Sequence, residues 1–481
     1  MRIEYYSGGR KRRVTATTLG AAPDDTESAT FRDYLLPPAD GQNTFLRSAA
    51  IVGFGVDAVA APISEPQVVI TTGGEPSLVL TPSIAIEDPK LSEVRWLQTK
   101  YGFSITREGS HGKVLLTAPA DTPAPERYAA KAAVEVYERG KVIAAQPNFV
   151  RVLGGLVPAV GHKHPRWAYD NPGNPGLVGA DVAADAAWTI TTGSSEVRVA
   201  VLDDGVQASN VAFKDAVVAQ RDFVSVDRVD KAEPTDPRDF HGTACAAIIA
   251  SRLPFNRGLA HGVVLVACRI GSWSHADSWI ADDFSVADGI DWCWDDAKAD
   301  VLSMSWRGGD ADDLRRLAIE RARTQGRQGK GCVVVAAAGN TGGPVDFPAS
   351  ADGVIAIGAT NQWDERKTQT SQDGETNWAS NRGQGLAMMA PGVRIETIDL
   401  SEPHELGGGT TRTFSGTSAA TPFAAAAAAL MLSVRGDLGE SDVKTLLAAS
   451  ADRLGGNGWS PDVGYGRLNA FSALRAARRF P

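Results

Sequence analysis

The stretch VRVAVLDDG, residues 197–205, decides the fold. An unbroken apolar run that ends in acidic residues and a glycine has the pattern of a strand buried on both faces of a parallel sheet. In such sheets the functional groups sit at the carboxyl ends of the strands. The run therefore predicts a buried strand that delivers Asp203 to a sheet edge. GCVVVAAAGN, residues 331–340, repeats the pattern and carries Asn340 to the same edge. Two runs of small residues read as helices. HGTACAAIIASRL begins at His241, and Ser418 precedes AATPFAAAAAALML, whose alanines suit a helix buried on every side and whose Pro422 suits a first helical turn.

These elements carry one group of each kind that nucleophilic acyl transfer requires. A serine hydroxyl is a weak nucleophile at neutral pH, so it needs a base to take its proton, a carboxylate to orient that base, and donors for the developing oxyanion. Ser418, His241, Asp203 and Asn340 supply them, and a helix amino terminus at Ser418 favours negative charge beside it. Taken singly, each residue has a plainer reading. An Asp after a strand is commonly a turn or a cap, and a Ser before a helix is commonly an N-cap. Four strings in one order, each on a fitting element, favour the joint reading. The other six histidines, His111, His162, His164, His261, His275 and His404, sit in no comparable setting and read as surface or core residues.

The order VAVLDDG, HGTACA, AAAGN, GTSAATP resembles that of the subtilisin-like (subtilase) serine proteases and differs from the orders of chymotrypsin-like enzymes and α/β-hydrolases. The resemblance implies an α/β fold, a three-layer sandwich around a mostly parallel central sheet. It implies that His241 takes the proton of Ser418 and returns it to the departing amine. Asp203 would hold the imidazole tautomer, and the Asn340 side chain with the Ser418 N–H would hold the oxyanion. Asp204 is assigned no catalysis. ADVLSMSWRGG, residues 299–309, is similar to the family's substrate-binding strand and puts Ser305, Trp306, Arg307 and Gly308 against an extended peptide, with Ala338 and Gly339 completing the set. VDFPASADGVIAIGAT, LAMMAPGVRI and GYGRLNA match further segments. Aligned on FPA, Asp346 falls at the bottom of the primary specificity pocket, where a carboxylate would favour a basic side chain before the cut. Arg307, in place of a glycine common there, could pair with it and cancel that preference. Both outcomes stay open.

A second unit precedes the catalytic one. From about Val68 to Phe149 short strands alternate with helices, which suggests a small α+β, ferredoxin-like domain. Its close, AAQPNFVRV, resembles the end of the subtilase propeptide domain. That implies a domain that assists folding, occupies the cleft and is removed by self-cleavage. Arg151 is the expected residue before the cut, with the segment through GHKHPRW as the fallback. The expected organisation is residues 1–65 of no assignable fold or role, 66–152 propeptide-like, 153–170 linker and 171–481 catalytic.

Composition bounds the rest. A length of 481 residues with 43% apolar content is ample for a large core, and a net charge of −9 argues against nucleic acid as a partner. The basic runs RKRR from Arg10 and RAARR from Arg475 read as solvated tails. No apolar stretch is expected to span a bilayer, the alanine-rich helix being too short and too weakly hydrophobic. The amino terminus lacks the apolar core of a secretory signal. Cys245, Cys268, Cys293 and Cys332 show no framework or metal spacing, so the expectation is a cytoplasmic enzyme. No cofactor is expected for the chemistry and no metal ligand is assigned. Subtilases often hold structural calcium, but the loop that commonly does so reads SRLPFNRGLAHG here, short and poor in carboxylates. That site is expected to be lost, and calcium is left unplaced. The acidic stretch DRVDKAEPTDPRD reads as solvated loop. IVGFGVDA, residues 51–58, is part of a dinucleotide fingerprint, but prolines follow where the helix should be. The expected partners are a protein or peptide substrate and the chain's own N-terminal domain, with no membrane. Two alternatives remain, a transpeptidase or macrocyclase on the same triad and a non-catalytic binding module of the same fold.

Overall fold

Alternating strand and helix signals in residues 67–153 fold as expected, and the sheet they form extends further in both directions than the sequence implies. The structure, a computed structural model, describes residues 2–7, 10–18, 67–70, 76–123, 125–153, 157–158, 166–225, 229–273, 279–309, 311–400, 411–456 and 458–481. The string at residues 51–58 lies outside them. Strands β1 (Arg2–Ser7) and β2 (Arg10–Thr18) form an antiparallel hairpin, and β2 pairs with β3 (Gln67–Ile70). RKRR is therefore strand backbone and not a tail, and part of the region left without a fold joins a sheet. β4 (Pro76–Glu87), α1 (Leu91–Tyr101), β5 (Ser104–Glu108), β6 (Lys113–Thr117), α2 (Pro125–Glu138) and β7 (Ala144–Leu153) follow. Leu97 of α1 and Ala129, Ala133 and Val136 of α2 pack on Ile84, Ile86 and Leu116 of the sheet. A two-residue strand β8 (Val157–Pro158) comes next.

The catalytic unit continues with α3 (Ala184–Trp188), β9 (Arg198–Asp203), β10 (Val217–Asp222), α4 (His241–Ala250), the hairpin β11 (Arg252–Leu253) and β12 (Asn256–Arg257), and β13 (Val264–Arg269). After these come β14 (Ser272–Trp273), β15 (Trp279–Asp282), α5 (Asp283–Asp295), β16 (Val301–Met304), α6 (Asp313–Gln325), β17 (Val333–Ala337), β18 (Ile355–Thr360) and β19 (Leu386–Pro391). The chain ends with β20 (Ile395–Ile398), β21 (Thr411–Ser415), α7 (Thr417–Val434), α8 (Glu440–Ser450) and α9 (Ala470–Arg479). Seven strands run parallel in the order β10-β13-β9-β16-β17-β18-β19. Helices α4, α7 and α9 cover one face, and α5 and α6 cover the other. This is the three-layer sandwich that the family resemblance implied, with the VRVAVLDDG strand buried in its central sheet.

Helix α7 runs through the larger core. Its alanines 424–429 are buried and allow the sheet and α4 to approach closely. Among the described residues it is the one helix long and apolar enough by length and composition to cross a membrane, contrary to the sequence expectation, and 89% of it is buried inside the protein. The N-terminal and catalytic units share a sheet. β7 pairs antiparallel with β15, and β15 with β14, so one sheet passes from the first unit into the second.

Candidate active site

Strand β9 ends on Asp203, and α4 begins on His241 directly against it. His241 Nδ1 lies 2.8 Å from Asp203 Oδ1, with both side chains buried. Gly242 makes that approach sterically allowed. A Cβ there would lie 2.2 Å from the Gly205 carbonyl oxygen, so any other residue would push the helix off the strand end. Phe240, at the N-cap of α4, offers no side-chain acceptor. Asp204 caps the helix instead, its two oxygens accepting the Gly242 N–H at 2.7 Å and the His241 N–H at 3.2 Å. The sequence reading gave Asp204 no role, because a cap supplied from another element leaves no local pattern. The rings of Trp279 and Phe414 flank the imidazole, with centroids 6.3 and 5.4 Å away.

Ser418 stands in the first turn of α7, behind Gly416 at φ 134°. Its hydroxyl donates to the Ser305 carbonyl at 2.7 Å, and the Ser305 hydroxyl donates back to the Ser418 carbonyl at 3.1 Å. Cys245 Sγ lies 3.6 Å from the Ser418 carbonyl and 3.9 Å from His241 Nδ1, so it joins α7 to α4. His241 Nε2 and Asp203 Oδ2 are buried and have no hydrogen-bond partner among the described residues. Pro422 falls in the second turn and not the first. Its missing N–H would have bonded the carbonyl four residues back, which is that of Ser418. That freed carbonyl is the one Ser305 and Cys245 reach, so the proline links the helix to the substrate strand.

Asn340 Oδ1 accepts both the N–H and the hydroxyl of Thr417, each at 2.9 Å, which turns the amide nitrogen of Asn340 to the other side. Gly339 donates to Thr417 Oγ1 at 3.1 Å. Its carbonyl accepts from Asn381 N at 2.9 Å. A Cβ on Gly339 would meet Asn381 Nδ2 at 2.3 Å and Asp346 Oδ2 at 2.6 Å. Asn381 also donates to Asp346 at 3.2 Å, a support that no sequence motif announced. Arg307 Nη1 lies 3.9 Å from the same carboxylate. Ala338 is tied into the sheet through Ile357. Trp306 is fully buried with its indole N–H on the Leu202 carbonyl, so it offers a substrate backbone groups only. The Gly308 carbonyl accepts from Arg151 and Arg315.

A family model for the subtilase family of S8 peptidases matches residues 194–466. The chain belongs to the subtilase family. It is 33% identical over 341 residues to a calcium-dependent protease of Trichormus variabilis, covering 62% of this chain and 49% of that one. It is 30% identical over 300 residues to thermitase of Thermoactinomyces vulgaris, covering 61% of this chain and 94% of that one. The chain thus spans about half the length of the calcium-dependent proteases it matches. The solved structure of fervidolysin from Fervidobacterium pennivorans, described as a keratinolytic enzyme related to subtilisin, superposes with a TM-score of 0.65 at 21% identity over 84% of this chain and 62% of that one. At that identity the likeness speaks for the fold.

Arg151 of this subtilase is not where the sequence reading put it. It lies within β7 opposite Ala281, buried, with its guanidinium bidentate on Asp283 and 3.8 Å from Asp312. A side chain held in that pair cannot also fill the pocket at Asp346, so self-cleavage after Arg151 does not fit this arrangement.

Burial and neighbouring charge act against each other in the cleft. Burial alone would pull the His241 imidazole down, but the Asp203 carboxylate and the Cys245 sulfur together outweigh it and hold the ring well above its ordinary value. Burial, with the charge of Asp203 alongside, pushes Asp204 well above the usual carboxylate range. Burial also raises the Cys245 thiol, which keeps it protonated although Asp203, His241 and Cys245 bring possible metal-ligand atoms within 4.8 Å of one another. The calcium that subtilases often carry does not fit the loop after α4. That loop is the β11-β12 hairpin, and its Asn256 side-chain oxygen and Arg257 carbonyl already accept from the Arg166 guanidinium at 2.9 and 3.0 Å. In the acidic stretch, Asp230 pairs with Arg221, Asp236 with Arg238, and Asp239 with Arg269.

Proposed function

We propose that this subtilase is a serine endopeptidase, made as a precursor that cuts its N-terminal domain from the catalytic domain. The observation that carries the reading is the Asp203–His241 hydrogen bond, with an unpartnered Nε2 on the side of the ring away from Asp203 and a helix N-terminus bearing Ser418 in the same cleft. The Ser418 hydroxyl swings from the Ser305 carbonyl to Nε2, gives up its proton and attacks the peptide carbonyl. The oxyanion draws on the Asn340 amide and the amino terminus of α7, whose first N–H groups have no partner within the helix. His241 then protonates the departing amine, and water repeats the sequence on the acyl-enzyme.

The chain path supports self-processing. Leu153 is the register partner of Trp279, whose ring flanks His241, and Val157 is the register partner of Ser415, three residues before Ser418. The cut is expected between these two anchors and not after Arg151. The intact masses of wild type and Ser418→Ala test this. Two fragments meeting between Leu153 and Val157 are expected in the wild type, heavier together by one water, and a whole chain in the variant. Whole chains in both would sink self-processing, and products lacking the added water would indicate transpeptidation. The Arg307 and Asn381 contacts on Asp346 support a pocket whose charge is answered from within, so a strong basic preference is not expected.

A further inference from the structure

Between β18 and β19, residues 361–378 form a loop around a lysine that has no exposed surface. The Lys367 ammonium donates to the Glu375 carbonyl at 2.6 Å, to the Thr368 carbonyl, and to the Ser371 hydroxyl at 3.2 Å, and it lies 3.2 Å from Asp373 Oδ1. The other oxygen of Asp373 accepts from Asn361 Nδ2 at 3.0 Å and from the Ser371 hydroxyl at 2.5 Å. Every hydrogen-bonding group around the ammonium is therefore an oxygen, and the Trp378 ring lies beyond them with its centroid 5.3 Å from Nζ. Two carbonyls, a hydroxyl and a carboxylate make the donor set of a hard-cation site. One carboxylate against one ammonium leaves the cage neutral, and that balance suits a monovalent cation better than a divalent one.

We propose that Lys367 is a built-in cation, its Nζ standing at the centre of an oxygen cage that would otherwise bind a monovalent cation of ammonium size. The cage supports both walls of the cleft. Glu375, whose carbonyl is on the ammonium, accepts the Ser415 hydroxyl at 2.9 Å, three residues before Ser418. The Lys367 carbonyl accepts from Ser380 N at 2.9 Å. The next residue, Asn381, holds Asp346, the Pro344 carbonyl and the Thr341 N–H. Covalent attachment makes the local concentration of this cation independent of the medium. Arg166 on the β11-β12 hairpin is a second side-chain cation on backbone and amide oxygens. The inference does not depend on the endopeptidase reading, because its readouts are stability and cation binding.

The test uses Lys367→Ala in the Ser418→Ala full-length chain, so that proteolysis cannot interfere, in chelator-treated buffer. Thermal midpoints are measured with ammonium, potassium, calcium or choline chloride added at matched ionic strength. The expected result is a midpoint several degrees below the parent, largely restored by ammonium or potassium and not by choline, while the parent responds to none of them beyond its response to choline. An undiminished midpoint, or a loss that no cation restores beyond choline, overturns the proposal. Restoration by calcium alone overturns its monovalent form. Should the variant fail to fold, hydrogen exchange over residues 361–381 of the parent decides. Equal protection with chelator and with calcium is expected, and calcium-dependent protection there overturns the idea.

Discussion

The catalytic cleft and the seam under the N-terminal domain differ in how far buried charge is paired, although the seam's Glu87 also keeps one buried oxygen, Oε2, without a partner among the described residues. In the cleft, His241 Nε2 and Asp203 Oδ2 are buried without partners among the described residues. At the seam, the fully buried Lys113 of β6 sits on Asp291 and 3.7 Å from Asp288 of α5, and Arg321 of α6 bridges Asp291 to Glu87 of β4. Arg151 of β7 closes the row on Asp283 and Asp312. An unpaired polar atom out of water is costly, and a pair recovers most of that cost only when both members are present. The cleft is thus poised to gain a partner, and the seam is vulnerable to losing one.

The largest effect should follow from breaking the seam. Lys113→Met leaves Asp291 and Asp288 facing each other with less positive charge, and removing one member of a buried pair costs about 3–5 kcal/mol. Measured by denaturant melts in the Ser418→Ala chain, the variant should lose stability on that scale. Hydrogen exchange should show lost protection in β6 and α5. Adding Asp291→Leu should not recover the loss, because Asp291 is also the bidentate partner of Arg321 and the acceptor of the Trp294 indole N–H. A Lys113→Met chain that melts with the parent would show the seam to be no latch.

The cleft should answer in rate and not in stability. Asn340→Ala is expected to lower kcat about 10²–10³-fold, the figure known for subtilisin's own asparagine, with a thermal midpoint close to the parent. Should the midpoint fall as far as in Lys113→Met while kcat holds, the Asn340 contacts to Thr417 would be structural and the contrast between the two regions would fail.

How legible this was depends on whether a residue's partner lies on its own element. Asp203, His241, Asn340 and Ser418 could be singled out because each terminates or begins a strongly patterned element, and unbroken apolar runs marked two of the buried parallel strands. Asp204 as a cap and Asn381 as a prop could not, because each acts on a segment distant in sequence and no local spacing encodes that meeting. Arg151 was misread for the same reason. Its basic character was plain, but its partners Asp283 and Asp312 lie more than a hundred residues away in the chain. Strands β1 and β2 escaped notice because RKRRVTATT has too few apolar residues to mark a strand, and the pairing with β3 supplies what composition lacks.

Acid and alkali should also act on the two regions in opposite senses. His241 is held above its ordinary value of about 6.5. Its contribution to stability is therefore complete below that value and is lost as pH rises through the raised one, while activity rises across the same window as the base becomes neutral. At Asp291, burial works to raise the carboxyl, but Arg321 and Lys113 outweigh it and hold the group below its ordinary value. That contribution is present above the ordinary carboxylate range and is lost as pH falls through the lowered value. The acid limb of kcat/KM for the processed enzyme should lie above 6.5. A limb at or below 6.5 would mean that Asp203 does not hold the imidazole as the geometry indicates.

The smallest expected effect lies where cleft and seam physics meet, at the partly exposed pair of Arg307 and Asp346. A pair with about a quarter of each side chain exposed, at 3.9 Å, is worth about 1 kcal/mol or less. Arg307→Gly should therefore free Asp346 only modestly, raising the ratio of kcat/KM for peptides with arginine before the cut to those with leucine by roughly fivefold. Asp346→Gly in the same background should erase the gain, because the carboxylate is its source. Asn381 still donates to Asp346 in the single variant, which caps the effect by leaving that partner in place. An unchanged ratio in Arg307→Gly would mean that Asn381 alone satisfies the carboxylate, and the pocket would then belong with the seam, where buried charge is already answered.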